Sequence, residues 1–167
     1  MIGYITIRER GPTPGITKSE QGDIIRDVLA HTAANHHAKF MHRHFTHDAK
    51  RIYGYKPRKG EGKSGKEFYT SYTGRKNKVK GHMKPLVWSG VSQTLAKIRD
   101  VRSNRNRAVL VQHARGLNRR HPNSQINMVH EIRAVAENEI REANRLVDSL
   151  FRKRVREIRA TKTTKVG

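Results

Sequence analysis

Apolar residues recur at the spacing of one helix face near the end of the chain, and this pattern constrains the fold more than any other feature. The repeat, at helical spacing over roughly thirty residues, comprises Val129, Ile132, Ala136, Ile140, Ala143, Val147, Leu150, Val155 and Ile158. We predict a long helix over residues 125–160, followed by a basic tail over 161–167. A helix of that size is about 45 Å long, which exceeds the width of a small domain. Part of it is therefore expected to pack on another chain, and the predicted subunit-interface residues are Ile140, Val147, Leu150 and Phe151.

The beginning of the chain predicts a short extended element and then a helix. Residues 1–10 are rich in β-branched and aromatic types, and Gly and Pro punctuate residues 11–15, so we predict an N-terminal arm or strand over 1–15. Thr17 and Glu20 have the spacing of a capping box, and apolar residues at helical spacing follow them. This pattern predicts a helix over 18–48.

Residues 49–84 differ in composition from both flanking regions. They hold 12 Lys or Arg, two Glu and six Gly, with five aromatic residues between them. A stretch with so few aliphatic residues and so much charge cannot build a core, which predicts an extended basic loop that becomes ordered against a partner. Its cations are predicted to contact nucleic-acid phosphates or an acidic partner. These residues are Lys50, Arg51, Lys56, Arg58, Lys59, Lys63, Lys66, Arg75, Lys76, Lys78 and Lys80.

Residues 85–115 favour strands. Val91, Gln93 and Leu95 would point to one face of a strand and Thr94, Ala96 and Ile98 to the other, and residues 103–106 read as a hairpin turn before the β-branched run of 108–113. The sequence therefore predicts an α+β fold in a single domain, 1–167. It would contain a small antiparallel β-sheet, an N-terminal helix, a long C-terminal helix and the extended basic loop.

The charge balance indicates partners rather than chemistry. Lys and Arg number 36 against 14 Asp and Glu, a net charge of +22, which favours nucleic acid or acidic neighbours in an assembly. There is no cysteine, no apolar run long enough to span a membrane, and no secretory signal pattern at the start. We expect a soluble protein made in the cytoplasm.

Candidate catalytic and metal-binding patterns are weak. Six histidines crowd residues 31–47, but only His44 and His47, with Asp48 adjacent, have a spacing that suits a metal on a helix. A metal-dependent nuclease built on these three residues is the weakest hypothesis. No phosphate-binding glycine loop or nucleophile elbow occurs. We expect no enzymatic activity, no cofactor and no metal.

Several short segments resemble one protein family. They are Tyr53–Arg58, Tyr69, Arg75–Lys78 and above all Gly81–Gly90, which contains Lys-Pro-Leu-Val-Trp-Ser-Gly. In these segments, and in the order of its predicted elements, the chain is similar to tailed-bacteriophage head-to-tail connector, neck or tail-completion proteins. Lys84–Gly90 is the sharpest of these motifs, and the acidic-aromatic and Arg-Pro-Phe features common before the last helix of relatives are missing here.

The resemblance implies a structural virion protein that assembles in the host cytoplasm. It implies a homo-oligomeric ring, of hexamer or dodecamer size, around the channel for double-stranded DNA, with portal, neck or tail proteins as neighbours. Within the motif, Pro85, Trp88 and Gly90 are expected to form a structural turn that presses the apolar residues into the core. The alternative is a basic nucleic-acid-binding protein of ribosomal type without enzymatic activity, which the charge supports equally.

Overall fold

The chain has an α+β fold, as the sequence predicts. The computed structural model describes residues 2–6, 13–87, 90–97, 99–113, 117 and 126–166. The elements are β1 (Ile2–Thr6), α1 (Lys18–Phe40), a 3-10 turn (Met41–Phe45), α2 (Ala49–Tyr53), α3 (Gly65–Thr70), α4 (Tyr72–Lys80), α5 (Val91–Ala96), β2 (Arg99–Ser103), β3 (Arg107–Gln112), α6 (Met128–Ile132) and α7 (Glu137–Val166). Within these ranges, none of the helices combines the length and the apolar character that crossing a bilayer requires.

The elements gather into two compact units. The sheet unit comprises residues 2–37, 100–111 and 137–167, and so holds the sheet, most of α1 and all of α7. The helical unit comprises residues 38–99 and 112–136, and so holds the short helices α2 to α6. The basic stretch 49–84 lies entirely in the helical unit.

The sheet unit contains a three-stranded sheet. The strand order is β1-β3-β2, and β1 runs antiparallel to β3 with Ile2 opposite Val111 and Thr6 opposite Arg107. The predicted hairpin turn is confirmed, because Asn104 closes the β2–β3 connection. Its side-chain Oδ1 accepts hydrogen bonds from the backbone N–H groups of Asn106 and Arg107, both at 2.9 Å.

Helix α1 begins at the predicted capping box. The Glu20 N–H donates to Thr17 Oγ1 (3.2 Å), and the Thr17 N–H donates to Glu20 Oε2 (2.8 Å). The helix then buries two adjacent apolar stripes in two clusters. Ile24 and Val28 pack with Ile16 and Val155 of α7. The second stripe packs with the sheet residues Ala108 and Val101 and consists of Ile25, Leu29 and Ala33. Contact on both sides explains why a helix with many polar residues is stable here.

The helical unit has its own apolar core. Its buried members come from the segments before α3 and after α4 and include two residues of the Lys84–Gly90 motif: Phe45, Ala49, Tyr55, Leu86, Val87, Ala96, Leu117 and Ile132. The side chains of Met41, Tyr53, Leu95, Met128 and Ala134 pack around them.

The prediction of an extended loop over residues 49–84 is wrong. The stretch contains α2, α3 and α4, and it forms them within the single chain. Helix α4 is capped at its start, where the Gly74 N–H donates to Ser71 Oγ (3.1 Å), and ends at Gly81 in the left-handed conformation. Local capping and a few polar contacts therefore order this stretch where an apolar pattern is absent.

The strand predicted from Val91 onward is wrong as well. Residues 91–96 form α5, whose first turn is closed by the Thr94 N–H bonding to the Gly90 carbonyl at 3.0 Å. The alternating pattern misleads because Val91 is 58% exposed, whereas Leu95 and Ala96 pack into the core. The core contacts of this segment thus come from Leu95 and Ala96, two neighbouring residues that a strand would point to opposite faces.

Two predicted helix boundaries need correction. The helix predicted over 18–48 ends at Phe40, and the next five residues form the 3-10 turn. The helix predicted over 125–160 is two helices, because residues 133–136 separate α6 from α7. The separation lets Ile132 join the core of the helical unit while Val147 and Leu150 join that of the sheet unit. The predicted basic tail continues α7 to Val166.

Gly74 tests whether α3 and α4 pack as observed. A Cβ at this position would lie 2.0 Å from the Phe68 carbonyl oxygen, so the backbone of α3 would have to move. We expect Gly74→Ala to lower the free energy of unfolding by about 2 kcal/mol, the cost of overpacking. Asn77→Ala introduces the same residue into the same helix and should change it by less than about 0.5 kcal/mol. Urea denaturation followed by circular dichroism measures both, and equal effects would contradict the α3–α4 packing.

Candidate polyanion-binding surface

The helical unit carries most of the charge excess. Its sequence contains 20 Lys or Arg and four Asp or Glu, a net charge of +16, whereas the sheet unit carries 16 and ten, a net charge of +6. Each of the four carboxylates is already within ion-pair distance of a cation of the same unit: Asp48 of Arg51 (3.6 Å), Glu61 of Lys50 (3.2 Å), Glu67 of Lys63 (2.8 Å) and Glu131 of Arg58 (2.5 Å). The unit therefore has no carboxylate left to neutralise its remaining cations.

Arg58 and Glu131 form a buried, bidentate pair. Arg58 Nη1 donates to Glu131 Oε1 at 2.6 Å and Nη2 donates to Oε2 at 2.5 Å, and the two side chains are only 10% and 9% exposed. Two parallel charge-assisted hydrogen bonds satisfy the carboxylate and fix the guanidinium. Arg58 was predicted to contact an external partner, and the structure removes it from that set.

Lys76 is also removed from the predicted contact set. Its side chain lies on the inner face of α4, is 5% exposed, and donates a hydrogen bond to the Lys84 carbonyl oxygen. Burial, aided by the nearby positive charge of Arg58, lowers the pKa of the Lys76 ammonium from 10.5 to about 8. Lys76 thus ties α4 to the segment that follows it.

The other nine predicted contact residues are exposed. Lys50, Arg51 and Lys63 belong to the surface ion pairs above. The remaining six have no carboxylate within ion-pair distance in the described ranges: Lys56, Lys59, Lys66, Arg75, Lys78 and Lys80. Together with Lys84, which is exposed but was left out of the sequence prediction, they form what we call the basic surface. Lys84 could have been found, because it is the last cation of the same basic stretch.

Half-buried His82 belongs to the same region of positive potential. Burial lowers the pKa of its imidazole, and the charges of Lys76, Lys84 and His47 lower it further. Three basic groups therefore lie close enough to His82 to affect its titration. The repulsion among them is what an external anion would relieve.

The Lys84–Gly90 motif forms the expected turn in its described part. Leu86 and Val87 are buried in the core, and Pro85 is half-buried before them. Leu86 has φ +57°, a left-handed conformation that is uncommon outside glycine, and Gly90 has φ +84° at the start of α5. Trp88, the third predicted turn residue, lies outside the described residues.

The histidines of residues 31–47 do not converge on a metal site in the described ranges. No group of three or more His, Asp or Glu side chains there is placed to hold an ion. His44 instead stacks on Tyr53, with ring centroids 3.9 Å apart, and its Nδ1 is hydrogen-bonded to the Tyr55 hydroxyl in the core. The neighbouring Asp48 side chain is 67% exposed beside Arg51. The structure thus gives the nuclease hypothesis no ligand set.

The predicted subunit-interface residues divide into two groups. Val147, Leu150 and Phe151 pack against the chain's own apolar cluster and are partly buried. Ile140 is 49% exposed and so remains available to another molecule. The interface itself stays a prediction.

The comparisons with known proteins give no relative. The chain matches no protein-family model, no curated protein and no solved structure.

Breaking the Arg58–Glu131 pair should be costly. Glu131→Gln leaves a buried guanidinium without its counter-charge, and we expect the free energy of unfolding to fall by about 3 kcal/mol. The exposed Lys63–Glu67 pair provides the matched control, because Glu67→Gln should change the free energy of unfolding by less than about 1 kcal/mol. Urea denaturation at pH 7 measures both variants. A loss for Glu131→Gln no larger than that for Glu67→Gln would mean that the pair does not anchor the unit.

The depressed pKa of Lys76 predicts a dependence of stability on pH. Between pH 8 and pH 10.5 the folded chain has lost the Lys76 proton while the unfolded chain still binds it, so raising the pH stabilises the fold in this window. The unfolding free energy of the wild type should therefore rise relative to that of Lys76→Met as the pH increases. Lys78→Met, on the exposed side of the same helix, is the control: it retains Lys76 and should show the same rise as the wild type. Parallel curves for all three proteins would contradict the depressed pKa.

Proposed function

We propose that the chain is a structural virion protein of a tailed phage. It would form a ring in the neck, as a head-to-tail connector or tail-completion component, and join the portal and head to the tail around the DNA channel. The resemblance at Lys84–Gly90 supports this proposal, as does the succession of helix, turn, hairpin and long helix along the chain. The proposed role involves no catalysis, cofactor or metal.

One observation carries the proposal: the helical unit uses all four of its carboxylates internally and still has a net charge of +16. Such an excess raises the free energy of the isolated chain through self-repulsion. Neighbouring molecules that carry negative charge would relieve it. A component of a larger particle has such neighbours at all times, whereas a free enzyme does not need them.

The size of the excess indicates which neighbours matter. Helix α7, with 30 residues, is about 45 Å long. A duplex of that length carries only about 26 phosphates, since there is one per roughly 1.7 Å of axis. Six copies of a chain with net charge +22 would exceed this number about fivefold. Acidic surfaces of adjacent portal, neck or tail proteins would therefore balance most of the charge, and DNA the rest.

The alternative is a basic nucleic-acid-binding protein of ribosomal type. The exposed Tyr69 ring favours it, because an aromatic side chain that is 64% exposed in a basic stretch can stack on an unpaired base. The two functions differ in their assembly state and in their response to salt. A ring component is oligomeric in isolation or in the particle. For a nucleic-acid binder, the logarithm of the binding constant falls with the logarithm of the salt concentration, with a slope of about 0.9 per phosphate contacted.

The ring function predicts oligomers that depend on the exposed apolar residue of α7. In mass photometry, the wild type should give particles whose mass is a multiple of 19.2 kDa. Ile140→Asp places a charge where we expect a subunit contact and should shift the distribution toward the monomer. The mutation should leave the circular dichroism spectrum unchanged, because Ile140 is 49% exposed.

Asn138→Asp is the matched control, since it adds the same charge in the first turn of α7 without removing an apolar contact. It should assemble like the wild type. A wild-type chain that stays monomeric at micromolar concentration, is missing from purified virions and binds duplex DNA or RNA with a slope of several phosphates would favour the alternative.

A further inference from the structure

The outer side of α4 combines exposed cations with exposed apolar side chains. Arg75, Lys78 and Val79 are spaced three and four residues apart and so lie on one face of the helix, and Met83 and Lys84 follow in the next segment. Val79 is 64% exposed and Met83 47%. The three cations have no carboxylate within ion-pair distance in the described part of the chain. These five exposed residues lie in α4 and in the segment just after it, and we call them the α4 face.

A partner of the α4 face must satisfy two chemical demands. Arg75, Lys78 and Lys84 require carboxylate or phosphate oxygens, whereas Val79 and Met83 gain only from apolar contact. A nucleic-acid backbone supplies phosphates but would leave the two apolar side chains largely in water. A polypeptide helix with acidic and apolar residues at helical spacing supplies both.

We propose that the α4 face binds an acidic, amphipathic helix of a partner protein. Val79 and Met83 are the apolar anchors, and Arg75, Lys78 and Lys84 pair with its carboxylates around them. This inference rests on the proposed function and makes it more specific, because it assigns this part of the basic surface to a protein neighbour and not to DNA.

The α4 face is held in place before any partner arrives. Ser71 caps the start of α4, and Thr73 Oγ1 donates to the Lys59 carbonyl oxygen at 3.0 Å. Beyond the end of the helix, the hydrogen bond from Lys76 to the Lys84 carbonyl fixes the backbone that carries Met83 and Lys84. Little binding free energy is therefore lost to ordering of the backbone, and a modest number of contacts can give useful affinity.

The experiment compares three fluorescent probes on the full-length protein by anisotropy. The first is a synthetic helical peptide whose one face alternates Glu and Leu at spacings of three and four. The second is a peptide of the same composition in scrambled order, and the third is a duplex DNA of comparable charge. We expect the amphipathic peptide to bind at least tenfold more tightly than the scrambled peptide.

Variants separate the apolar anchors from the charge. The double variant Val79→Ser, Met83→Ser should weaken binding of the amphipathic peptide at least fivefold and leave duplex binding within twofold. Val91→Ser, at another valine that is 58% exposed, should change neither. Because these side chains are exposed, the variants should fold like the wild type, as circular dichroism will verify.

Equal binding of the two peptides would overturn the proposal, as would duplex binding that is tighter than peptide binding and unaffected by the double variant. The assembly measurement is independent of these probes. A protein that forms rings but does not distinguish the peptides retains the neck function and loses this inference. A monomer that does distinguish them loses the neck function and retains the peptide-binding face.

Discussion

The buried pair between Arg58 and Glu131 is the interaction on which the helical unit depends most. The two residues are 73 positions apart, and they join the segment before α3 to the short helix α6. Two further sets of hydrogen bonds connect the neighbouring segments. The Lys59 carbonyl accepts hydrogen bonds from the Thr73 hydroxyl (3.0 Å) and N–H (3.4 Å), and Lys76 donates to the Lys84 carbonyl. The ion pair and these hydrogen bonds hold α4 and both of its flanking segments in a region that offers little apolar surface.

This construction explains why the helical unit can be both strongly basic and ordered. A cation is inexpensive to keep near the core only if a carboxylate or a carbonyl satisfies it. The most buried carboxylate of the unit pairs with Arg58, and a backbone carbonyl accepts the hydrogen bond of Lys76. The other cations of the unit remain outside the core. The sheet unit follows a different principle, since its order comes from apolar stripes of α1 that pack on both the sheet and α7. Most of the charge excess therefore lies in the unit that depends on polar contacts.

Sequence patterns predicted the sheet unit well because its determinants are local or periodic. The capping box of Thr17 and Glu20, the turn at Asn104 and the apolar repeat of α7 each lie within a few residues of the structure they specify. In the helical unit the same reasoning failed. The order of residues 49–84 comes partly from Glu131, which is distant in sequence, and from a glycine at position 74 that permits close helix contact. Neither has a periodic signature.

The candidate surface was predicted in the same uneven way. Composition identified the basic stretch, and nine of its eleven proposed contact residues are exposed. It could not separate Arg58 and Lys76 from the others, because burial is decided by the fold and not by residue type. It also gave no weight to Val79 and Met83, since isolated apolar residues in a charged stretch carry no pattern.

An ordered basic stretch changes how the molecule can bind. When a disordered loop folds on its partner, each backbone residue that becomes fixed reduces the binding free energy by about 1 to 2 kcal/mol. Here that cost is met during folding by the Arg58–Glu131 pair and the contacts of Thr73 and Lys76. The surface cations then differ in use from the buried ones. The buried pair and Lys76 set the position of α4, and the exposed residues meet whatever negative charge is nearby at a fixed spacing. A fixed spacing favours partners with matching geometry, and this adds shape selectivity to an attraction that charge alone would leave general.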